Sequence, residues 1–203
     1  MIPDRVFVTG TDTDVGKTVA SAALCAAFGH AYWKPVQSGT DEGSDRETVR
    51  RLAGVPTFDE AYRLPRPASP HASAADVGVR IDVRALRLPD APRLLVEGAG
   101  GWMVPFDLDP PRFTADLVRA LGLPVIVVAR TGLGTLNHTL LTLRAIRDDG
   151  CEAVGLVLVG DAHPENERDL PRLGGVPVLA RLPRVALPER FPDLVARLPG
   201  LPR

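Results

Sequence analysis

Gly10-Thr11-Asp12-Thr13-Asp14-Val15-Gly16-Lys17-Thr18 forms a complete G-x-x-x-x-G-K-[ST] phosphate loop. An apolar strand pattern, Arg5-Val6-Phe7-Val8-Thr9, precedes it, and an alanine-rich helical pattern opens near Lys17. Strand, loop and helix in that order are the context the motif needs. Gly10 and Gly16 let backbone N–H groups turn toward phosphate oxygens, and the new helix adds its positive end. Lys17 can then reach the β- and γ-phosphates, and the Thr18 hydroxyl can ligate Mg²⁺. A glycine turn with an accidental lysine is the alternative. Average residue usage makes that coincidence on the order of one in a hundred for a chain of this length.

Moving outward, short apolar runs recur at residues 6–8, 31–36, 94–96, 124–129, 154–159 and 176–180. Several are continuous rather than alternating, as parallel strands covered on both faces require. Helical patterns fill the gaps at 17–28, 112–121 and 135–148, with Gly29 and Gly150 as stops. Alternation of this kind behind a phosphate loop predicts an α/β fold. It is a doubly wound, mostly parallel sheet of the P-loop NTPase type, flanked by helices, with ligands beyond the carboxyl ends of its strands. Residues 56–92 carry six prolines and read as an excursion within one domain, with short helices near 72–77 and 82–88. A further short helix is expected near 188–197. The whole chain, 1–203, reads as a single domain.

Composition removes several function classes. The 24 basic and 25 acidic residues leave a net charge of −1 with no basic stripe, so nucleic acid is not expected as an obligate partner. No apolar run reaches membrane-spanning length. The chain enters a strand almost at once, which predicts no signal peptide, and Cys25 and Cys151 are far apart, as in a reduced cytoplasmic protein. The four histidines show no metal-ligand spacing, and no third lysine exists to complete a guanine-reading Asn-Lys-x-Asp motif.

That last point matters, because only Lys17 and Lys34 are lysines; every other basic residue is arginine. A lysine retained in such a chain suits a compact charge at phosphate better than a guanidinium fork does. Lys34 stands in Trp33-Lys34-Pro35-Val36-Gln37-Ser38-Gly39, after the second strand pattern. It is either an exposed strand-end cation or a second phosphoryl contact. Ser38 either donates to a substrate or caps a turn. The run Leu94-Leu95-Val96-Glu97-Gly98-Ala99-Gly100-Gly101 ends a strand in an acid and glycines, where phosphate-loop enzymes keep a Mg²⁺ carboxylate. Asp45 is open to two readings: a metal ligand, or a first-turn acid of the capping box Ser44-Asp45-Arg46-Glu47.

These blocks, with Ser69-Pro70-His71 and Gly134-Thr135-Leu136-Asn137-His138, follow the order found in dethiobiotin synthetases, which the chain resembles from residue 5 to about 160. The resemblance implies an ATP- and Mg²⁺-dependent ligase. It would form the ureido ring of dethiobiotin from 7,8-diaminononanoate and CO₂, as a cytoplasmic homodimer. Lys17 and Lys34 would be catalytic, and Thr18, Asp45 and Glu97 would hold Mg²⁺. ATP would be bound by Asp14, Val15, Gly16, Lys17, Thr18, Val19, Asp45, Glu97, Gly98, Ala99 and Gly100, with Pro183, Arg184 and Val185 near the base. Thr13 and Ser38 would contact the substrate, and the backbone of Thr135, Leu136 and Asn137 from the second subunit would receive its carboxylate. Where relatives carry an adenine-reading asparagine, this chain has Leu158-Val159-Gly160-Asp161. A switch ATPase of the partitioning or metallochaperone type is the other class considered. Those proteins often place a lysine after the first loop glycine, where Thr11 stands here.

Overall fold

A computed structural model describes residues 1–184, 186, 187 and 189–198. Its centre is a seven-stranded sheet in which every paired strand is parallel. In chain order its members are β1 (Arg5–Gly10), β2 (Ala31–Trp33), β4 (Thr57–Phe58), β6 (Leu94–Gly101), β9 (Val125–Arg130), β10 (Ala153–Val159) and β11 (Val178–Leu182). The spatial order is β11-β10-β9-β1-β6-β2-β4. The chain therefore builds outward from β1 in one direction, then returns to build in the other. The reversal leaves a crevice at the carboxyl end of β1, where a doubly wound sheet binds its ligand.

Successive strand residues supply opposite faces, and both faces are covered. Phe7, Val96 and Val127 enter one cluster with Leu117, Leu143 and Leu170 from α4 (Thr114–Leu121), α5 (Thr135–Asp148) and α6 (Pro164–Gly174). Val6, Val8, Leu95 and Ile126 enter the other, beneath α1 (Lys17–Phe28), α2 (Asp45–Ala53) and α7 (Phe191–Val195). Double coverage is why the strands read as continuous apolar runs.

Four expectations from sequence need correction. The run 31–36 is not one strand. β2 stops at Trp33, and β3 (Val36–Ser38) pairs instead with β5 (Tyr62–Leu64) in a separate two-stranded sheet. Pro35 has no N–H to continue the ladder, and its carbonyl accepts from the amides of Ala61 and Tyr62 at 2.9 and 3.0 Å. The expected helix at 82–88 is a turn, because the Asp82 side chain takes the Arg84 amide at 2.9 Å, while Ile81, Val83 and Leu86 anchor the segment in the core. The helix placed near 72–77 begins earlier, as α3 (Pro70–Asp76), with Pro70 in its first turn. The last helix is confined to five residues, and position 188 lies outside the described residues. The hairpin β7 (Pro105–Leu108) and β8 (Pro111–Phe113), and helix α6, were not expected.

Candidate active site

The phosphate loop leaves β1 with the Thr11 amide bonded to the Val128 carbonyl of β9 at 2.9 Å. Two glycines are obligatory in it. A Cβ on Gly10 would lie 2.8 Å from both the Asp12 carbonyl and the Val15 side chain. Gly16 has φ 94° and packs on Val159 from the end of β10. The Lys17 ammonium folds back over the loop and donates to the Asp12 carbonyl at 3.0 Å. It is almost wholly buried. Burial lowers its pKa, only partly offset by the charges of Glu97 and Asp45, while Lys34 pushes the same way as burial.

Across from the loop, the broken second strand places Lys34 at the sheet's carboxyl edge. Its ammonium bonds to Asp45 Oδ2 and, at 3.2 Å, to Glu97 Oε1. The Thr18 hydroxyl donates to Asp45 Oδ1 at 2.7 Å and lies 3.3 Å from Glu97 Oε1. Asp45 is the first-turn acid that the capping box predicts, and it also faces the cleft. It opens α2 behind a complete capping box formed by Ser44 and Glu47, and its side chain reaches Lys34 and Thr18. Its amide donates to Gln37 Oε1 at 3.1 Å, which fixes the helix start against β3. Burial would raise the Asp45 pKa, but Lys34 and the Thr18 hydrogen bond outweigh it and hold the carboxyl below its ordinary range. Burial would lower the Lys34 pKa, yet Glu97 and Asp45 prevail and hold it above the usual lysine value.

These groups share a cleft of about 820 Å³. Of the residues expected at the site, Thr13, Asp14, Gly16, Lys17, Thr18, Val19, Lys34, Ser38, Asp45, Glu97, Ala99 and Gly100 line it. The Ser38 hydroxyl is buried with no hydrogen-bond partner. Val15 instead turns into the core, and Gly98 lies behind the cleft wall, tight against Phe7. Pro183 and Arg184 follow β11 and do not line the cleft; Val185 lies outside the described residues. Thr135, Leu136 and Asn137 start α5 away from this cleft. The Thr135 hydroxyl is spent internally on the Arg130 carbonyl.

Sequence reasoning missed Tyr32, Gln37 and the opposite wall formed by Pro67 and Ala68. Tyr32 is fully buried and donates its hydroxyl to Glu97 Oε2 at 3.1 Å. Burial, reinforced by Glu97 and Asp45, raises its pKa far above that of an ordinary phenol. A signal existed: a tyrosine inside an apolar strand needs a polar partner, and residues 32 and 34 share a face.

The donor set is hydroxyl plus two carboxylates, all hard oxygens. Among the described residues no cluster of three or more His, Cys, Asp or Glu stands ready to hold a metal. A hydroxyl with two carboxylates is a donor set suited to Mg²⁺, which takes one or two carboxylates and completes its shell with phosphate and water.

A family model described as an AAA domain matches residues 4–190. An ATP-dependent dethiobiotin synthetase of Novosphingobium aromaticivorans is 48% identical over 195 residues, covering 92% of this chain and 94% of its own. That of Sphingopyxis alaskensis is 50% identical over 182 residues, covering 90% and 89%. Among solved structures, chloroplast FtsY from Physcomitrella patens matches with TM-score 0.56 at 16% identity, over 97% of this chain and 65% of that one. A ParA family ATPase from Chlorobium tepidum matches at 0.50 and 12%, over 96% and 90%. At such identities these structures speak for the fold alone.

Proposed function

Since the chain belongs to the ATP-dependent dethiobiotin synthetase family, we propose that its cleft closes the ureido ring of dethiobiotin on 7,8-diaminononanoate, with CO₂ and ATP as co-substrates. A neutral amine of the diamine adds to CO₂ and loses a proton, giving a carbamate. A carbamate oxygen attacks the γ-phosphorus of ATP, and ADP leaves. The second amine, also neutral, then attacks the carbonyl carbon of the mixed anhydride and loses a proton; the carbon–oxygen bond breaks and inorganic phosphate departs.

Little covalent chemistry falls to the protein in such a transfer, so its work is positioning and charge stabilisation. The loop backbone and the start of α1 take the phosphates. Lys17 meets the developing charge from the loop side, and Lys34, anchored by Asp45 and Glu97, meets it from the substrate side. Thr18, Asp45 and Glu97 would hold Mg²⁺, which would neutralise charge across the β- and γ-phosphoryl groups. Ser38, with its unpartnered buried hydroxyl, serves the carbamate end. The observation that carries this reading is the convergence of Thr18, Lys34, Asp45 and Glu97 beside the phosphate loop.

We assign the substrate carboxylate to the start of α5 in a second copy, because helix N-termini favour anions and this start does not reach its own chain's cleft. Exposed Leu133, in the turn before α5, and Leu141, on the helix, suit a homodimer contact. We read residues 1–203 as one domain. Free Cys25 and Cys151 suit the cytoplasm, and among the described residues no helix is long and apolar enough to cross a membrane.

ADP release measured with and without diaminononanoate and bicarbonate tests the proposal. Diamine-dependent ADP, with a product of dethiobiotin mass, is the expected result. Equal ADP release in both samples would favour a switch ATPase and sink the ligase reading.

A further inference from the structure

Glu97 is wholly buried, and its two carboxylate oxygens have different neighbours. Oε1 faces Thr18 and Lys34, at 3.3 and 3.2 Å; Oε2 points into the core and accepts from the Tyr32 hydroxyl at 3.1 Å. The backbone explains why they meet. Tyr32 of β2 stands opposite Leu95 of β6, and Glu97 lies two residues further along the same face. Tyr32 is itself clamped, fully buried against the α1 layer, with its amide on the Pro56 carbonyl at 2.9 Å.

We propose that Tyr32 is a positioning residue for the metal: by holding Oε2, it presents Oε1 alone to the ion and fixes the carboxylate plane. The inference rests on the assignment of Glu97 as a Mg²⁺ ligand. A buried carboxylate oxygen without a donor would be costly. Without the hydroxyl, Glu97 would rotate toward the other cations of the site, Lys34 and Lys17, and lose its alignment. Partners that hold a metal ligand from behind typically govern metal affinity by ten- to a hundredfold.

The test compares Y32F and E97Q with the parent protein, using Mn²⁺ as an electron paramagnetic probe bound with a non-hydrolysable ATP analogue. Phenylalanine keeps the ring and its packing. E97Q is expected to abolish tight Mn²⁺ binding. Y32F is expected to weaken it about tenfold, and to raise the Mg²⁺ concentration needed for half-maximal turnover by a similar factor while leaving turnover at saturating Mg²⁺ near normal. Loss in E97Q with less than a twofold change in Y32F overturns the role of Tyr32 and leaves the metal site standing. Unchanged binding in E97Q overturns the metal site itself. Should Y32F not fold, the parent protein labelled with 3-fluorotyrosine replaces it, since Tyr32 and Tyr62 are the only tyrosines. Mg²⁺ added with the analogue must then shift the Tyr32 fluorine resonance and spare that of Tyr62. A stationary Tyr32 signal overturns the inference.

Discussion

The two lysines occupy facing walls of one cleft, yet the protein treats their charges in opposite ways. On the loop wall, Lys17 is buried against a neutral carbonyl, and its proton is held less tightly than usual. On the β2–α2 wall, Lys34 is clamped between two carboxylates, and its proton is held more tightly. The loop wall therefore carries an electrostatic debt that an incoming phosphate relieves. The other wall is satisfied before anything binds. A cation left uncompensated and a cation anchored in advance can share one residue type, and the partner set tells them apart.

The sharpest way to break this contrast is to remove each charge in turn. Lys17→Met is expected to cut diamine-dependent ADP release by 10²–10³-fold or more, the scale of one lost transition-state donor. Its thermal melt in the absence of nucleotide should not fall, because methionine fills the same space without burying a charge. Lys34→Gln should also lose turnover, and in addition should lose about 3 kcal/mol of stability, the low end for a broken buried pair, because Asp45 remains partly exposed. Asp45 and Glu97 would face each other uncompensated, so Mg²⁺ should restore more stability to this variant than to the parent. Calorimetric melts with and without Mg²⁺ decide it. Equal melting losses in the two variants would erase the distinction between the walls.

The two walls were also unequally legible. The loop wall is written in contiguous residues, Gly10 to Thr18, because local backbone geometry builds it and spacing alone encodes it. The doubly wound, mostly parallel sheet could also be read, because continuous apolar runs alternating with helical patterns behind a phosphate loop leave few other folds. The facing wall draws on three separated segments. Apart from the family resemblance, Lys34 stood out mainly through lysine scarcity, and Asp45 stayed ambiguous, because a capping acid and a metal-site acid have the same sequence. That the capping-box acid also faces the cleft follows from where α2 docks on β3, through Gln37 and the Asp45 amide. Tyr32 was hidden by its apolar context. The break at Pro35 was missed because proline was counted inside a strand run, although it ends the ladder and so puts Lys34 at the rim. The α5 start, Thr135 to Asn137, carries a recognisable motif but lies outside its own chain's cleft, and no pattern within one sequence states which copy it serves.

The smallest effect expected is a difference in pH response. Lys17 has a folded-state pKa below its unfolded value. Between the two, the unfolded chain binds more protons, so stability without nucleotide should rise as pH increases through the lowered value toward the ordinary lysine range. Nucleotide affinity should move the other way over the same interval, because phosphate prefers the ammonium form. On the facing wall Lys34 has the opposite sign, whereas Asp45 has the same sign as Lys17 but acts in the acid range. Lys34 is raised, so its contribution is complete below the unfolded lysine pKa and fades only as pH climbs through the higher folded value. Asp45 is lowered, so its contribution is complete above the unfolded carboxylate pKa and fades as pH falls through the folded one. Melting curves in alkaline buffers, run beside Lys17→Met, isolate the first slope. The parent should gain stability relative to the variant as pH rises toward the lysine range. A parent that tracks the variant at every pH would mean that Lys17 carries no such debt.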